Sequence, residues 1–236
     1  MDLKNKTIII TGAARIGQKV AEALEKRGAN LVITYFSDLK EAGPYGAPVQ
    51  ADVSKKADVA RVIAFAKKQF GRVDGLVHMA AIYEKSPWNM LDEKQFDKNM
   101  NVMAKSTFLF GKMLGDELLE NEDEVKGKMI FFADWSIFAS PYKDYLAYNA
   151  AKAAVVGLTK SFAKELAPGV LVNAIAPGPM LRPPDLNDEE NAEAMAGTPL
   201  NRWGGADEIA KGVLYLLDAD FVTGQVLTID GGRTVA

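Results

Sequence analysis

Tyr148 and Lys152 stand four residues apart in Tyr145–Leu166, a stretch whose apolar spacing predicts a helix. That spacing puts both side chains on one helix face, where an ammonium beside a phenol favours the phenolate. A tyrosine so placed can donate a proton near neutral pH. The same spacing also occurs in ordinary helix-surface pairs, so the pair gains weight only from the rest of the chain. A second feature is Thr11-Gly12-Ala13-Ala14-Arg15-Ile16-Gly17, lying between a strand-like run and a helical pattern. Glycine there lets the backbone approach a pyrophosphate, which the N–H groups and dipole of the following helix attract. Gly12, Ile16 and Gly17 are therefore candidate cofactor-binding residues. Arg15 either adds a cation beside the phosphates or is a solvated surface arginine.

The end of the second predicted strand bears on which dinucleotide such a loop would hold. Selection of NAD commonly places an Asp or Glu there, on the ribose 2′-hydroxyl. Tyr35, Phe36 and Ser37 occupy the place instead. With no carboxylate at that position and with Arg15 and Lys40 nearby, NADP(H) is favoured. NAD(H) is the alternative, because Asp38 follows closely. Asp52-Val53, after the third strand, either caps a helix or contacts the adenine.

Elements that could position these residues alternate along the whole chain. Strands are predicted at Thr7–Thr11, Leu31–Thr34, Pro48–Ala51, Gly75–His78, Lys128–Ala133, Val170–Ile175 and Val226–Ile229. Helical patterns cover Ile16–Arg27, Val59–Phe70, about Asp92 to Leu119, Tyr145–Leu166 and Asp207–Leu217. Near-continuous apolar strands separated by helices predict a parallel sheet covered on both faces. Asp38–Gly46, with Gly43, Pro44 and Gly46, reads as a turn. Pro177–Pro199, rich in proline and carrying the acidic run Asp185–Glu190, reads as a segment outside the core and a mobile lid.

Composition narrows the chemistry further. The 236 residues are 48% hydrophobic and 25% charged, the balance of a globular protein. There is no cysteine, which excludes disulfides, thiolate catalysis and zinc–thiolate sites. One histidine, His78, argues against a histidine-built metal site or a Ser-His-Asp triad, and no metal is expected. A net charge of −3 gives no reason to expect nucleic acid or an anionic membrane as partner. The charged start Met1–Lys6 does not read as a signal peptide, and no apolar run approaches the ~18 residues a membrane span needs. A cytoplasmic protein is the expectation.

TGAARIG, Tyr148 with Lys152, Asn173-Ala174-Ile175-Ala176-Pro177-Gly178, and Thr223-Gly224-Gln225-Val226 with Asp230-Gly231-Gly232 occur together in one order. In that order the chain resembles the short-chain dehydrogenase/reductase family, and the resemblance covers essentially residues 1–236 as one domain. Ala133-Asp134-Trp135, Tyr145–Tyr148, Pro199–Trp203 and Ile82–Lys85 look most like its pteridine-reductase-like branch. The resemblance implies a Rossmann-type doubly wound α/β domain of seven mostly parallel strands in the order 3-2-1-4-5-6-7. It implies NADPH-dependent reduction of a small carbonyl or pterin-like substrate, with Tyr148 as proton donor. Lys152 would assist Tyr148 and also bind the nicotinamide ribose. Ala80, Pro177 and Gly178 would join the cofactor site. Asp134 or Ser136 is the matching third catalytic residue, and Asp134 is preferred because it directly follows a strand. Tyr83, Trp135 and Met180, with a substrate loop at about 178–199, would face the substrate. A homodimer or homotetramer built from the Tyr148 helix and the one around Met103–Leu119 is also implied.

The chain departs from the family at four places. The glycine loop is one residue short, and His78-Met79-Ala80-Ala81 replaces the usual NNAG, so His78 reads as a structural substitute. Met103 stands where an active-site Asn is expected, with Asn101 two residues earlier, and Trp135 falls at the usual position of the third catalytic residue. These departures keep open two other readings. One is a nucleotide-binding homologue with little catalysis, used for regulation or scaffolding. The other is an NAD-linked alcohol or 3-hydroxyacyl dehydrogenase.

Overall fold

The computed structural model describes residues 1–182 and 187–236. Seven strands form one parallel sheet: β1 (Thr7–Thr11), β2 (Asn30–Tyr35), β3 (Ala47–Gln50), β4 (Gly75–His78), β5 (Gly127–Phe132), β6 (Val170–Pro177) and β7 (Val226–Ile229). Their order is β3-β2-β1-β4-β5-β6-β7, as the resemblance implies. The central strands β1, β4 and β5 are buried along their whole length, which is why their sequences are apolar runs without polar alternation. Pro48 sits in the edge strand β3, where a missing N–H costs least.

Helices cover both faces. They are α1 (Ile16–Lys26), α2 (Lys56–Phe70), α3 (Glu93–Asn99), α4 (Ser106–Leu118), α5 (Leu146–Glu165), α6 (Asp188–Ala196) and α7 (Ala206–Asp218). The two-residue period of the strands divides the core. Ile9, Leu76, Met129 and Val172 pack with Val62 of α2, Phe110 and Leu114 of α4 and Val155 of α5. Ile8, Ile10, Val77, Ile130 and Ile175 pack with Val20 and Leu24 of α1 and Val213 and Leu217 of α7. The expected helix from about Asp92 to Leu119 is interrupted between α3 and α4 by a π-helical turn, Met100–Lys105. Asp38–Gly46 contains only a short 3-10 turn, Leu39–Ala42, consistent with its glycines and proline.

The proline-rich segment corrects its sequence reading. It holds α6, and Met180, Met195 and Thr198 are buried, so part of it belongs to the core. Met180 packs with the α1/α7 core. Residues 183–186 of the expected lid lie outside the described residues. Among the described residues, no helix is long and apolar enough to cross a membrane.

The amino ends of the strands are tied by buried charge. Lys128, at the start of β5, is 1% exposed, and its Nζ donates to the carbonyls of Leu217 (2.7 Å) and Ala219 (2.6 Å) and to Asp220 (2.6 Å). The amino group of Met1 reaches the same Leu217 carbonyl and Asp220. Replacing Lys128 by Met keeps the volume but leaves these acceptors short of a donor. The expected cost is about 2 kcal/mol, seen as a lower urea midpoint at unchanged slope.

Candidate active site

The residues singled out by type and spacing converge at the carboxyl ends of the strands. Tyr148 and Lys152 lie in the first two turns of α5 on one buried face, 6% and 4% exposed. Asp134 follows β5 and opens the 3-10 turn Trp135–Phe138, its Oδ1 accepting the Ser136 amide at 2.9 Å. The other carboxylate oxygen, Oδ2, accepts the Tyr148 hydroxyl at 2.6 Å. Ser136 is fully buried, and its Oγ has no hydrogen-bond partner among the described residues. Asp134 rather than Ser136 is thus the group at the tyrosine hydroxyl, because the turn directs the Ser136 side chain elsewhere.

Lys152 Nζ donates to the Phe132 carbonyl at 2.7 Å and lies 5.7 Å from the centre of the Tyr148 ring. Burial brings its pKa down to about 8, and the Asp134 carboxylate works in the opposite direction. Tyr148 departs from the sequence expectation. Burial first, then the charge and hydrogen bond of Asp134, push its pKa well above the ordinary tyrosine value. Burial and the Asp134 carboxylate thus act together to favour the neutral phenol.

An aromatic wall surrounds the tyrosine. Tyr83, 56% exposed, stacks on Tyr145 at 4.5 Å and meets Tyr148 edge-on at 5.1 Å. Trp135 is buried, donates through Nε1 to the Tyr142 hydroxyl at 2.6 Å, and carries the Arg233 guanidinium 4.8 Å over its ring. Arg233, which sequence reasoning missed, also donates to the Ala194 carbonyl and Thr198, tying the end of α6 to this wall. A groove of about 770 Å³ shares Tyr142 with the cluster and is lined by Trp88, Leu91, Ile137 and Leu146. Met180 is not part of this wall; it closes a separate cavity of about 90 Å³ with Pro179, Leu200 and Gly204. Its side chain is buried and packs with the α1/α7 core.

The glycine loop fits a dinucleotide diphosphate. Gly12 adopts φ 69°, and a Cβ there would lie 2.6 Å from the Ala80 nitrogen. Ala80 in turn donates its N–H to Thr11 Oγ1 at 3.2 Å. The first turn of α1, with Ile16 and Gly17, has neither a side-chain cap nor an acidic residue, so the positive end of its dipole is open to an anion, while the Gly17 amide donates to the Ala14 carbonyl at 3.3 Å. Arg15, at φ 57°, is exposed beside it.

Pro177 ends β6 opposite Ile229, and a Cβ on Gly178 would lie 2.5 Å from Asp230 Cα. Val53 is buried in the core, whereas Asp52 Oδ1 accepts the Ser54 amide and hydroxyl, so that carboxylate serves a turn. Glu41 is the second residue missed. Its carboxylate folds back onto the Phe36 amide (2.9 Å), the Ser37 hydroxyl (2.9 Å) and the Asp38 amide (3.3 Å), just past Tyr35. These bonds, led by that to Phe36, hold its pKa below the usual carboxylate value.

A family profile described as Enoyl-(Acyl carrier protein) reductase matches residues 12–234. An NAD-dependent glycerol dehydrogenase from Listeria innocua is 31% identical over 253 residues, covering 99% of this chain and 96% of that protein. The chain belongs to the short-chain dehydrogenase/reductase family. The 3-oxoacyl-(acyl-carrier-protein) reductase FabG of Escherichia coli is 30% identical, covering 98% of each chain. A solved short-chain dehydrogenase/reductase from Serratia marcescens superposes with a TM-score of 0.89 at 26% identity, covering 100% of both chains. These family members are dehydrogenases and reductases by name, that is, oxidoreductases.

The opposed effects of burial and Asp134 on Lys152 can be measured directly. In a ¹³C titration of the lysine side chains, one resonance is expected to titrate near pH 8. Asp134→Asn should move that midpoint lower. An unfolded lysine keeps its proton to about pH 10.4. Lys152 therefore makes the fold more stable as pH rises from about 8 towards 10, a slope that Lys152→Met should remove.

Proposed function

We propose that this protein is an NADP(H)-dependent reductase of a small carbonyl or pterin-like substrate, related to the pteridine-reductase-like branch. The observation that carries the proposal is the 2.6 Å hydrogen bond from the Tyr148 hydroxyl to Asp134, one helical turn from the buried Lys152. A bound nicotinamide dinucleotide supplies the hydride. Tyr148 supplies the proton to the substrate oxygen or nitrogen. Burial and Asp134 keep the phenol protonated, the state from which it can donate, and this supports the reductive direction. Lys152 stabilises the phenolate left behind, and Asp134 accepts the hydroxyl when no substrate is present. The exposed ring of Tyr83 and the groove beside Tyr142 suit a flat or apolar substrate, in the size range of small-molecule pockets. The functional substrate loop is assigned to residues 178–199. A homodimer or homotetramer across α4 and α5 is proposed as the assembly, supported by exposed Phe108 and by open space beside Gly157.

A screen of carbonyl and pterin compounds with NADPH tests the activity. Tyr148→Phe should lower turnover by at least about 100-fold, the lower range for a lost general acid, with dinucleotide binding retained. Full turnover in that variant would remove Tyr148 from the mechanism.

A second reading, NAD(H) as the cofactor, is favoured by one observation. The Glu41 carboxylate occupies the amides and hydroxyl at the end of β2, where a 2′-phosphate would seek donors. Against it, Arg15 and Lys40 are exposed and make no ion pair among the described residues. Glu41→Gln should tighten NADPH about fivefold while changing NADH little, measured by fluorescence titration. Wild-type protein binding NADH more tightly than NADPH would decide for the second reading.

A further inference from the structure

We propose that His78 is a positioning residue that joins the dinucleotide loop to the helix wall behind Tyr148 through one directional chain of hydrogen bonds. The inference rests on the site assignment above. His78 ends β4 with Thr11 as its neighbour on β1 and Phe131 on β5. It is 3% exposed and sits 5.2 Å from the Phe110 ring. Its Nδ1 lies 2.7 Å from Thr11 Oγ1, and its Nε2 lies 2.8 Å from Ser106 Oγ.

The direction of each bond follows from its neighbours. The Ala80 amide donates to Thr11 Oγ1, and the Thr11 hydroxyl then donates to Nδ1. Ser106 Oγ is 2.5 Å from the Val102 carbonyl and 3.2 Å from that of Met103, so its hydroxyl proton goes to a carbonyl. Nε2 must therefore carry the hydrogen that Ser106 Oγ accepts. The chain reads Ala80 N–H, Thr11 O–H, His78 Nε2–H, Ser106 O–H, with Thr11, His78 and Ser106 each both accepting and donating along it. A protonated ring would place a second N–H against the Thr11 hydroxyl and reverse that bond, so the chain requires neutral imidazole. Burial, followed by the charge of Lys152, brings the His78 pKa down to about 3.

The two ends of the chain meet different parts of the site. Thr11 and Ala80 flank Gly12, whose backbone packs against Ala80 in the glycine loop. Ser106 takes up carbonyls from the π-helical turn Met100–Lys105, and Met103 of that turn packs against Tyr148 and Ala151. An asparagine amide at position 78 could also both donate and accept, but an imidazole separates its two nitrogens across a rigid ring. His78 therefore sets the spacing between the cofactor loop and the tyrosine wall.

Because His78 is the chain's single histidine, ¹⁵N NMR of the whole protein reports it without assignment. The expected result is the Nε2–H tautomer, unchanged in the folded protein between pH 5 and 8. The kinetic test compares the two ends. Thr11→Val should raise KM for the dinucleotide about fivefold more than it lowers kcat. Ser106→Ala should lower kcat about fivefold more than it raises that KM, each figure being the loss expected for one buried hydrogen bond. An Nδ1–H tautomer, an imidazolium forming above pH 5, or variants that change stability but leave both kinetic constants alike would overturn the proposal. Absence of any turnover would instead overturn the reductase reading, and the tautomer measurement would still decide the role of His78.

Discussion

A carboxylate removed from water needs hydrogen-bond donors, and Asp134 finds two, the Ser136 amide and the Tyr148 hydroxyl. Much of the site follows from this. The carboxylate raises the pKa of Tyr148 by charge and by hydrogen bond, and it supports the ammonium form of Lys152 against burial. The protonation of Tyr148 and that of Lys152 therefore both depend on the same carboxylate. A serine in place of Asp134 would leave Lys152 as the charge nearest the phenol and lower the tyrosine pKa. With aspartate the balance tips towards a protonated tyrosine.

The sheet makes this arrangement possible by giving its two ends different duties. At the amino ends, buried charge is paired. Lys128 is enclosed by carbonyls and Asp220, and Asp74 accepts the Thr7 amide and the Arg72 guanidinium. At the carboxyl ends, polar groups stand where helices begin and loops cross: Thr11, His78 and Asp134. Parallel pairing places all of these on one edge, because each strand runs in the same direction. The burial of α5 over that edge then brings Tyr148 and Lys152 to Asp134.

The strands and most helices were legible because a doubly covered parallel sheet demands continuous apolar runs, and Thr7–Thr11 or Gly75–His78 could be little else. The sheet order and the pairing of Tyr148 with Lys152 came through the family resemblance, since neither spacing alone is specific. Asp134 and Ser136 could not be separated by counting, because a 3-10 turn of four residues decides which side chain faces α5. Glu41 was missed because its effect comes from a capping box that folds the carboxylate back to the end of β2. The signal was present as Asp38 followed three residues later by Glu41. Proline content concealed Met180 and Thr198, which are buried although the segment around them looks like loop.

The interruption between α3 and α4 shows how a departure in sequence is absorbed in structure. A π-helical turn takes in residues that an α-helix would place elsewhere, at the expense of regular backbone bonding. Ser106 and Thr107 both return hydroxyl bonds to the Met103 carbonyl, and Ser106 also reaches that of Val102. Those side chains stabilise carbonyls that the widened turn pairs less well. With the turn held, Met103 presents a buried thioether to Tyr148 where the family pattern would place an amide. That face of the tyrosine is apolar, so the polar groups that govern its proton lie on the other side, at Asp134 and Lys152. Loss of the amide and gain of the aspartate thus act together, concentrating control of the Tyr148 proton in a carboxylate 2.6 Å away.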